Sequence, residues 1–241
     1  MIKTAIFVEG QTELVFVREL LLKVFEYQRI ALECYTLFTD SSFIPAEYAF
    51  PNQEAEYFFQ VINVGNDQSV LSRILRREEY MRHEGFVRII GLRDMYSRQY
   101  REEAQNHKID PILNQKFIVG ARAQIKSTNT YFSFAIMEVE AWLLGLRKVF
   151  AKMDERLTAE FIEEKLGFNL DTIDAEEAFF HPANQVNDLF GLIGKHYNKS
   201  KGDINAIVSH IAREDYFELL ESDKCASFKE FLHFLDLPAT G

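Results

Sequence analysis

Ile6-Phe7-Val8-Glu9-Gly10-Gln11-Thr12-Glu13 is the stretch on which the fold turns. An apolar run stops at a carboxylate and a glycine, and a second carboxylate opens a long amphipathic segment, which reads as strand, tight turn and helix start. Ile2 to Val8 is apolar or β-branched for most of its length, the pattern of a parallel strand buried on both faces. Beyond the turn, Leu14, Val17, Leu21 and Val24 recur at helical spacing, Leu20 and Phe25 widen the stripe, and Arg18, Glu19 and Lys23 fill the other side. Gly10 is expected to let the backbone turn, with Gln11 or Thr12 near the cap. Glu9 then stands at the carboxyl end of a strand and Glu13 in a helix's first turn, where open α/β sheets bind ligands and helices accept negative charge. Two acids converging there suggest a divalent metal site.

The pattern recurs. Phe86-Val87-Arg88-Ile89-Ile90-Gly91-Leu92 runs into Arg93-Asp94-Met95-Tyr96, and Tyr131-Phe132-Ser133-Phe134-Ala135-Ile136-Met137 runs into Glu138-Val139-Glu140-Ala141-Trp142. Further strands are predicted over 30–38 and 57–64, and Val70, Leu71, Ile74 and Leu75 mark a helix that turns basic. The stretch 39–52, with its serines, prolines and aromatics, reads as a long loop or insertion. Strands that finish on acids, with helices between them, imply an α/β fold: a parallel sheet flanked by helices, whose carboxyl edge collects Glu9, Glu13, Asp94, Glu138 and Glu140. From about residue 149 the pattern is helical without a convincing strand. Amphipathic pieces at 160–166, 186–193, 204–211 and 228–235 are broken by Gly167, Pro182, Gly194 and Gly202. The expected division is an α/β domain over 1–148 and a helical C-terminal region over 149–241 packed on it.

The chain of 241 residues, 47% hydrophobic, is large enough for a sizeable core. Its net charge of −10 argues against non-specific attraction to nucleic acid. Yet from Arg73 to Lys126 there are twelve Lys/Arg against seven Asp/Glu, a local +5 that leaves −15 elsewhere. Any nucleic-acid contact is expected on that segment or through metal ions, although a solvated helix surface explains the charges equally well. Cys34 and Cys225 are far apart and in no metal-type spacing, which points to reduced thiols in a cytoplasm. The N-terminal apolar run is too short for a signal peptide, and no stretch reads as a membrane span. His-Glu-x-x-His, Cys/His clusters, a P-loop and a Gly-x-Ser-x-Gly elbow are missing from the sequence. Tyr131, Phe132, Phe134, Phe179 and Phe180 could stack on bases, but in so aromatic a chain they read first as core.

Hard cations such as Mg²⁺ or Mn²⁺ take oxygen ligands, commonly carboxylates with water and substrate phosphate. Several acids at one strand edge supply such ligands, and without a cation they would repel one another and raise each other's pKa. Taken singly, Glu13 is explained well enough as a residue complementing the helix start. Glu138 and Glu140 are either one inward and one outward residue at a strand end or part of a helix start, and only one of them is expected to touch metal. Asp94, isolated after an apolar run, is harder to explain by packing.

Glu9-Gly10-Gln11-Thr12-Glu13, Arg93-Asp94-Met95-Tyr96 and Met137-Glu138-Val139-Glu140-Ala141-Trp142-Leu143-Leu144 resemble, in order and spacing, the TOPRIM-like proteins of bacterial defence islands. These include the OLD-type nucleases and a small family often encoded beside an ABC-type ATPase. The tail is similar too, with Tyr197-Asn198-Lys199, then Gly202 and a helix, and Cys225-Ala226-Ser227-Phe228 before a last helix. The resemblance implies a TOPRIM-like sheet and a Mg²⁺- or Mn²⁺-dependent endonuclease acting on DNA or RNA. It would be the effector of an anti-phage defence system gated by an ABC-type ATPase partner, and a homo-oligomer is admitted. Glu9 matches the invariant glutamate of the fold, Glu13 the second acid of the first motif, and Asp94 the first acid of the Asp-x-Asp motif. Tyr96 stands where the broader superfamily has a second acid; a phenol is protonated at neutral pH and is a poor Mg²⁺ ligand. The smaller family shares this Asp-x-Tyr pattern. The resemblance also places a lysine at Lys199, which could neutralise charge on the scissile phosphate. As part of the polar loop Asn198-Lys199-Ser200-Lys201, Lys199 reads first as solvated. The competing readings are a non-catalytic interaction module that kept the fold, and a metal-dependent phosphoryl-transfer enzyme acting on nucleotides.

Overall fold

The computed structural model describes residues 1–37, 42–65 and 69–237. The elements are β1 (Ile2–Val8), α1 (Gln11–Val24), β2 (Ile30–Leu37), β3 (Phe43–Pro45), β4 (Tyr57–Asn63), α2 (Ser69–His83), β5 (Phe86–Asp94), α3 (Arg98–Glu103), α4 (Pro111–Arg122) and β6 (Thr130–Ala135). They continue as α5 (Val139–Gly145), α6 (Lys148–Met153), α7 (Ala159–Leu166), α8 (Ala175–Ala178), α9 (Pro182–Leu192), α10 (Lys201–Val208), α11 (Arg213–Glu221) and α12 (Ala226–Leu235). The chain forms two compact units, each discontinuous in sequence. Unit 1 is Met1–Arg93, Gln115–Phe134 and Glu230–Gly241; unit 2 is Asp94–Asn114 and Ala135–Lys229. The expected division near residue 148 is linear, whereas this one places most of the helical tail with Asp94, α3 and α5.

Unit 1 holds a mostly parallel six-stranded sheet in the order β3-β2-β4-β1-β5-β6. β1 lies between β4 and β5 and is parallel to both, with Val8 paired to Asn63 and to Leu92. Its inner residues, Ala5 to Val8, are fully buried, as a strand with sheet neighbours on both sides requires. The strands that run toward acids, β1, β5 and β6, are therefore side by side. α1 packs on β4 and β2, and α2 on β1. Thr12 to Val17 are all buried, so α1 is enclosed more widely than its apolar stripe predicts. Gly91 is required by close approach: a Cβ there would meet Ile74 Cδ1 and the Phe132 ring, both at 2.6 Å.

The stretch expected as a loop over 39–52 contains structure. β3 pairs antiparallel with β2, and Leu32 bridges to Phe50. Pro45 closes this short edge strand, where a missing N–H is tolerated. Residues 39–41, the strand end expected at Phe38, and Asn66-Asp67 after β4 lie outside the described residues.

Unit 2 is helical from α5 onward among the described residues, with α5 packed on α8 and α9 and α6 on α10. Gly167 ends α7 in the left-handed region (φ 77°), and Pro182 opens α9. Gly202 does not break a helix as expected; it lies within the first turn of α10, because Ser200 and Asp203 form a capping box that starts the helix ahead of it. Trp142 anchors α5: its indole Nε1 donates to Glu176 Oε1 (2.8 Å) and Ser227 Oγ (2.9 Å), and its ring meets Phe228 edge-on. Cys34 and Cys225 are free and buried. Among the described residues, no helix is long and apolar enough to cross a membrane.

Candidate metal centre

Asp94, Glu138 and Glu140 are buried in unit 2, and each offers a carboxylate oxygen within 4.8 Å of the other two. β5 delivers Asp94 as its last residue, and the chain beyond stays in ladder contact: Met95 N–H donates to Ala135 O (2.9 Å) and Tyr96 N–H to Met137 O (2.7 Å). Met137 then takes a left-handed φ of 63°, uncommon for a side-chain-bearing residue, and turns the backbone into α5. Glu138 is the N-cap of α5, yet its side chain makes no capping bond. Asp94 Oδ1 does that work from outside, accepting the Val139 N–H at 3.0 Å. The Glu138 carboxylate is thereby released to turn into the cluster. Glu140 follows in the first turn with no solvent exposure. Both glutamates face the same place, where an alternating reading sends one of them away.

The partners of these oxygens come from a distant part of the chain. Glu138 Oε2 accepts His181 Nδ1–H (2.6 Å) and the Ala183 N–H (3.0 Å), both at the start of α9. Glu140 Oε1 accepts the Tyr197 hydroxyl at 2.7 Å. Lys199 Nζ donates to Glu138 Oε1 (2.8 Å) and Glu140 Oε2 (3.1 Å), so it is paired within the site rather than simply solvated. Burial works against the Lys199 ammonium, but Glu140, Asp94 and Glu138 outweigh it and hold the group above the ordinary lysine range. Burial likewise pushes Glu138 up, but bonds from His181, Lys199 and the Ala183 N–H bring its carboxyl below the usual range. The imidazole of His181 stacks on Tyr96 (4.4 Å between ring centres), and Arg101 sits over the Tyr96 ring at 5.1 Å.

Of the remaining sequence-predicted acids, Glu9 and Glu13 belong to unit 1 and are not in this group of three. Glu9 follows β1 and is half-buried; Glu13 is buried in the first turn of α1. Gly10 is the N-cap of α1, and its backbone (φ −148°, ψ −166°) is extended, open to any residue. The glycine instead gives room to Glu13, since a Cβ on Gly10 would lie 3.0 Å from Glu13 Oε2.

His181 is missed by the sequence reading, and Tyr197 enters it only within the tail resemblance, without a role in the site. Their partners lie 43 and 57 residues away, and neither stands in a metal-type spacing. The donor set suits a hard divalent cation: three carboxylates offer oxygen ligands, with no sulfur among them. No protein-family model, curated protein or solved structure matches the chain.

Proposed function

We propose that this chain is a Mg²⁺- or Mn²⁺-dependent nuclease that hydrolyses phosphodiester bonds of DNA or RNA, with Asp94, Glu138 and Glu140 as ligands. The observation that carries the reading is the convergence of three buried carboxylates within 4.8 Å. Burying like charges together is costly unless a cation compensates them. A bound ion would polarise a phosphoryl oxygen and lower the pKa of a water. The chain's own residues supply orientation: Val139 N–H fixes Asp94, His181 and Ala183 fix Glu138 Oε2, and Tyr197 fixes Glu140 Oε1. Lys199 provides the positive charge for a substrate phosphate. The basic segment from Arg73 to Lys126 offers charge to a polyanion within an acidic chain. The resemblance to defence-island proteins adds an ABC-type ATPase as gating partner and anti-phage defence as the setting.

A second reading has one observation behind it. Lys199 already pairs with Glu138 and Glu140, so the cluster could serve as an ionic knot in a non-catalytic interaction module. Plasmid and RNA cleavage with Mg²⁺ or Mn²⁺, with and without the partner ATPase, separates the two. The nuclease reading expects cleavage that is lost in folded Asp94→Asn and Glu140→Gln variants. Cleavage indifferent to both substitutions, or no Mn²⁺ binding by calorimetry, would overturn it.

A further inference from the structure

The two glutamates of the cluster use their oxygens unequally. Glu138 Oε2 is tethered by the His181 ring and the Ala183 backbone, and Glu140 Oε1 by the Tyr197 hydroxyl. The other two oxygens, Glu138 Oε1 and Glu140 Oε2, are each held by Lys199 Nζ, at 2.8 and 3.1 Å. A Mg²⁺ ion held by both glutamates would take carboxylate oxygens as ligands and so would compete with the ammonium that now engages one oxygen of each. An ammonium bridging them at hydrogen-bond distance and a dication between them would share one space and repel each other.

The backbone around Lys199 is pinned. Asn198 N–H and Ser200 N–H both donate to Asp203 Oδ2, at 2.9 and 3.1 Å. Tyr197 N–H donates to Asn187 Oδ1 at 3.0 Å, and Ser200 caps α10. Lys199 itself sits at φ 54°, a left-handed conformation kept by these bonds on either side. The side chain is 36% exposed, against 4% for Glu138 and none for Glu140. It therefore has a route to solvent that the carboxylates lack, with no need for the loop to open.

We propose that Lys199 is the resident cation of the acid cluster and that a divalent ion enters by exchanging with its ammonium, which swings out from a fixed backbone. The proposal rests on the metal reading above and adds to it what sets the site's affinity: binding is a contest between the ion and an internal competitor. A dication outbids a single positive charge for two carboxylates, and a monovalent ion gains nothing by the swap. The displaced ammonium is left at the mouth of the site, where a phosphate would meet it.

The test is Mn²⁺ calorimetry and thermal unfolding on the wild type, Lys199→Met and, as a control removing a charge two residues on at the start of α10, Lys201→Met. Lys199→Met should bind Mn²⁺ about tenfold or more tightly than the wild type, with Lys201→Met unchanged. Metal-free Lys199→Met should melt below the wild type and recover the difference in saturating Mn²⁺. Equal or weaker binding by Lys199→Met overturns exchange and leaves the metal reading standing. Absence of binding in every variant, the wild type included, overturns both. Should Lys199→Met not fold, reductive methylation of the wild type, read by mass spectrometry, replaces it. Lys199 should be protected without metal and labelled faster with Mn²⁺, and equal protection in both states rejects the exchange.

Discussion

His181 Nδ1 donates to Glu138 Oε2 at 2.6 Å, across 43 residues of chain. The same ring lies nearly parallel to Tyr96, with an interplanar angle of 20°. A carboxylate held this way is oriented before any ligand arrives, which is what an outer-shell histidine does for a metal ligand. His181→Phe keeps a ring against Tyr96 and removes the N–H. Mn²⁺ affinity should fall by about tenfold to a hundredfold with the fold retained. Unchanged affinity in a folded variant would show that His181 does not orient the ligand.

Tyr197→Phe isolates one hydrogen bond. The phenol is 5% exposed and donates to a carboxylate with no exposure. Removing the hydroxyl leaves an acceptor buried and short of a donor, which costs about 1–3 kcal/mol. Urea unfolding should show a lower midpoint at an unchanged slope. A midpoint equal to the wild type would mean that the oxygen finds another donor.

Stability should fall as pH rises toward neutrality because of Glu176. Burial pushes its carboxyl up to about 7, against the partial opposition of bonds from Ser227 and Trp142. The folded chain then holds this proton above the ordinary value of 4.5 while the unfolded chain releases it. The contribution is full below 4.5 and lost as pH climbs through 7. Its size is on the order of 3 kcal/mol. Glu176→Gln, neutral at every pH, should flatten this part of the profile in denaturant unfolding between pH 5 and 8. A profile that keeps its slope in the variant would assign the proton elsewhere.

In unit 1, Gly91→Ala tests the packing of the sheet apart from the site. The added methyl meets Ile74 and Phe132 at 2.6 Å, so the core must shift. The expected loss is about 1–3 kcal/mol, read as a lower melting temperature. A neutral result would place slack between β5 and α2 that the distances do not show.

The strands β1, β5 and the start of β6 were legible from the sequence because each is a short apolar run closed by a polar turn. Their parallel order could be inferred because the acids recur at the same point in each. The helix start at Glu138-Val139-Glu140 stayed ambiguous, since strand alternation and a helix N-terminus both separate the two acids by one residue. Its resolution depends on Asp94 taking the Val139 N–H, a contact between positions 45 apart. β3 was hidden by Pro45 and its brevity, and α10 by Gly202, whose helix-breaking tendency the Ser200–Asp203 box overrides. His181, Tyr197 and the pairing of Lys199 could not be read locally, because each becomes meaningful only when α9 and the loop before α10 return to α5.

Trp142 is the chain's one tryptophan. It lies two residues past Glu140 on α5, wholly enclosed, with its indole N–H shared between Glu176 and Ser227. The protein thus carries its single indole fluorophore, selectively excitable over the ten tyrosines, on the helix that presents two of the cluster's acids, in contact with the carboxyl that burial pushes up to about 7. Its emission offers an optical readout of that helix without any attached label.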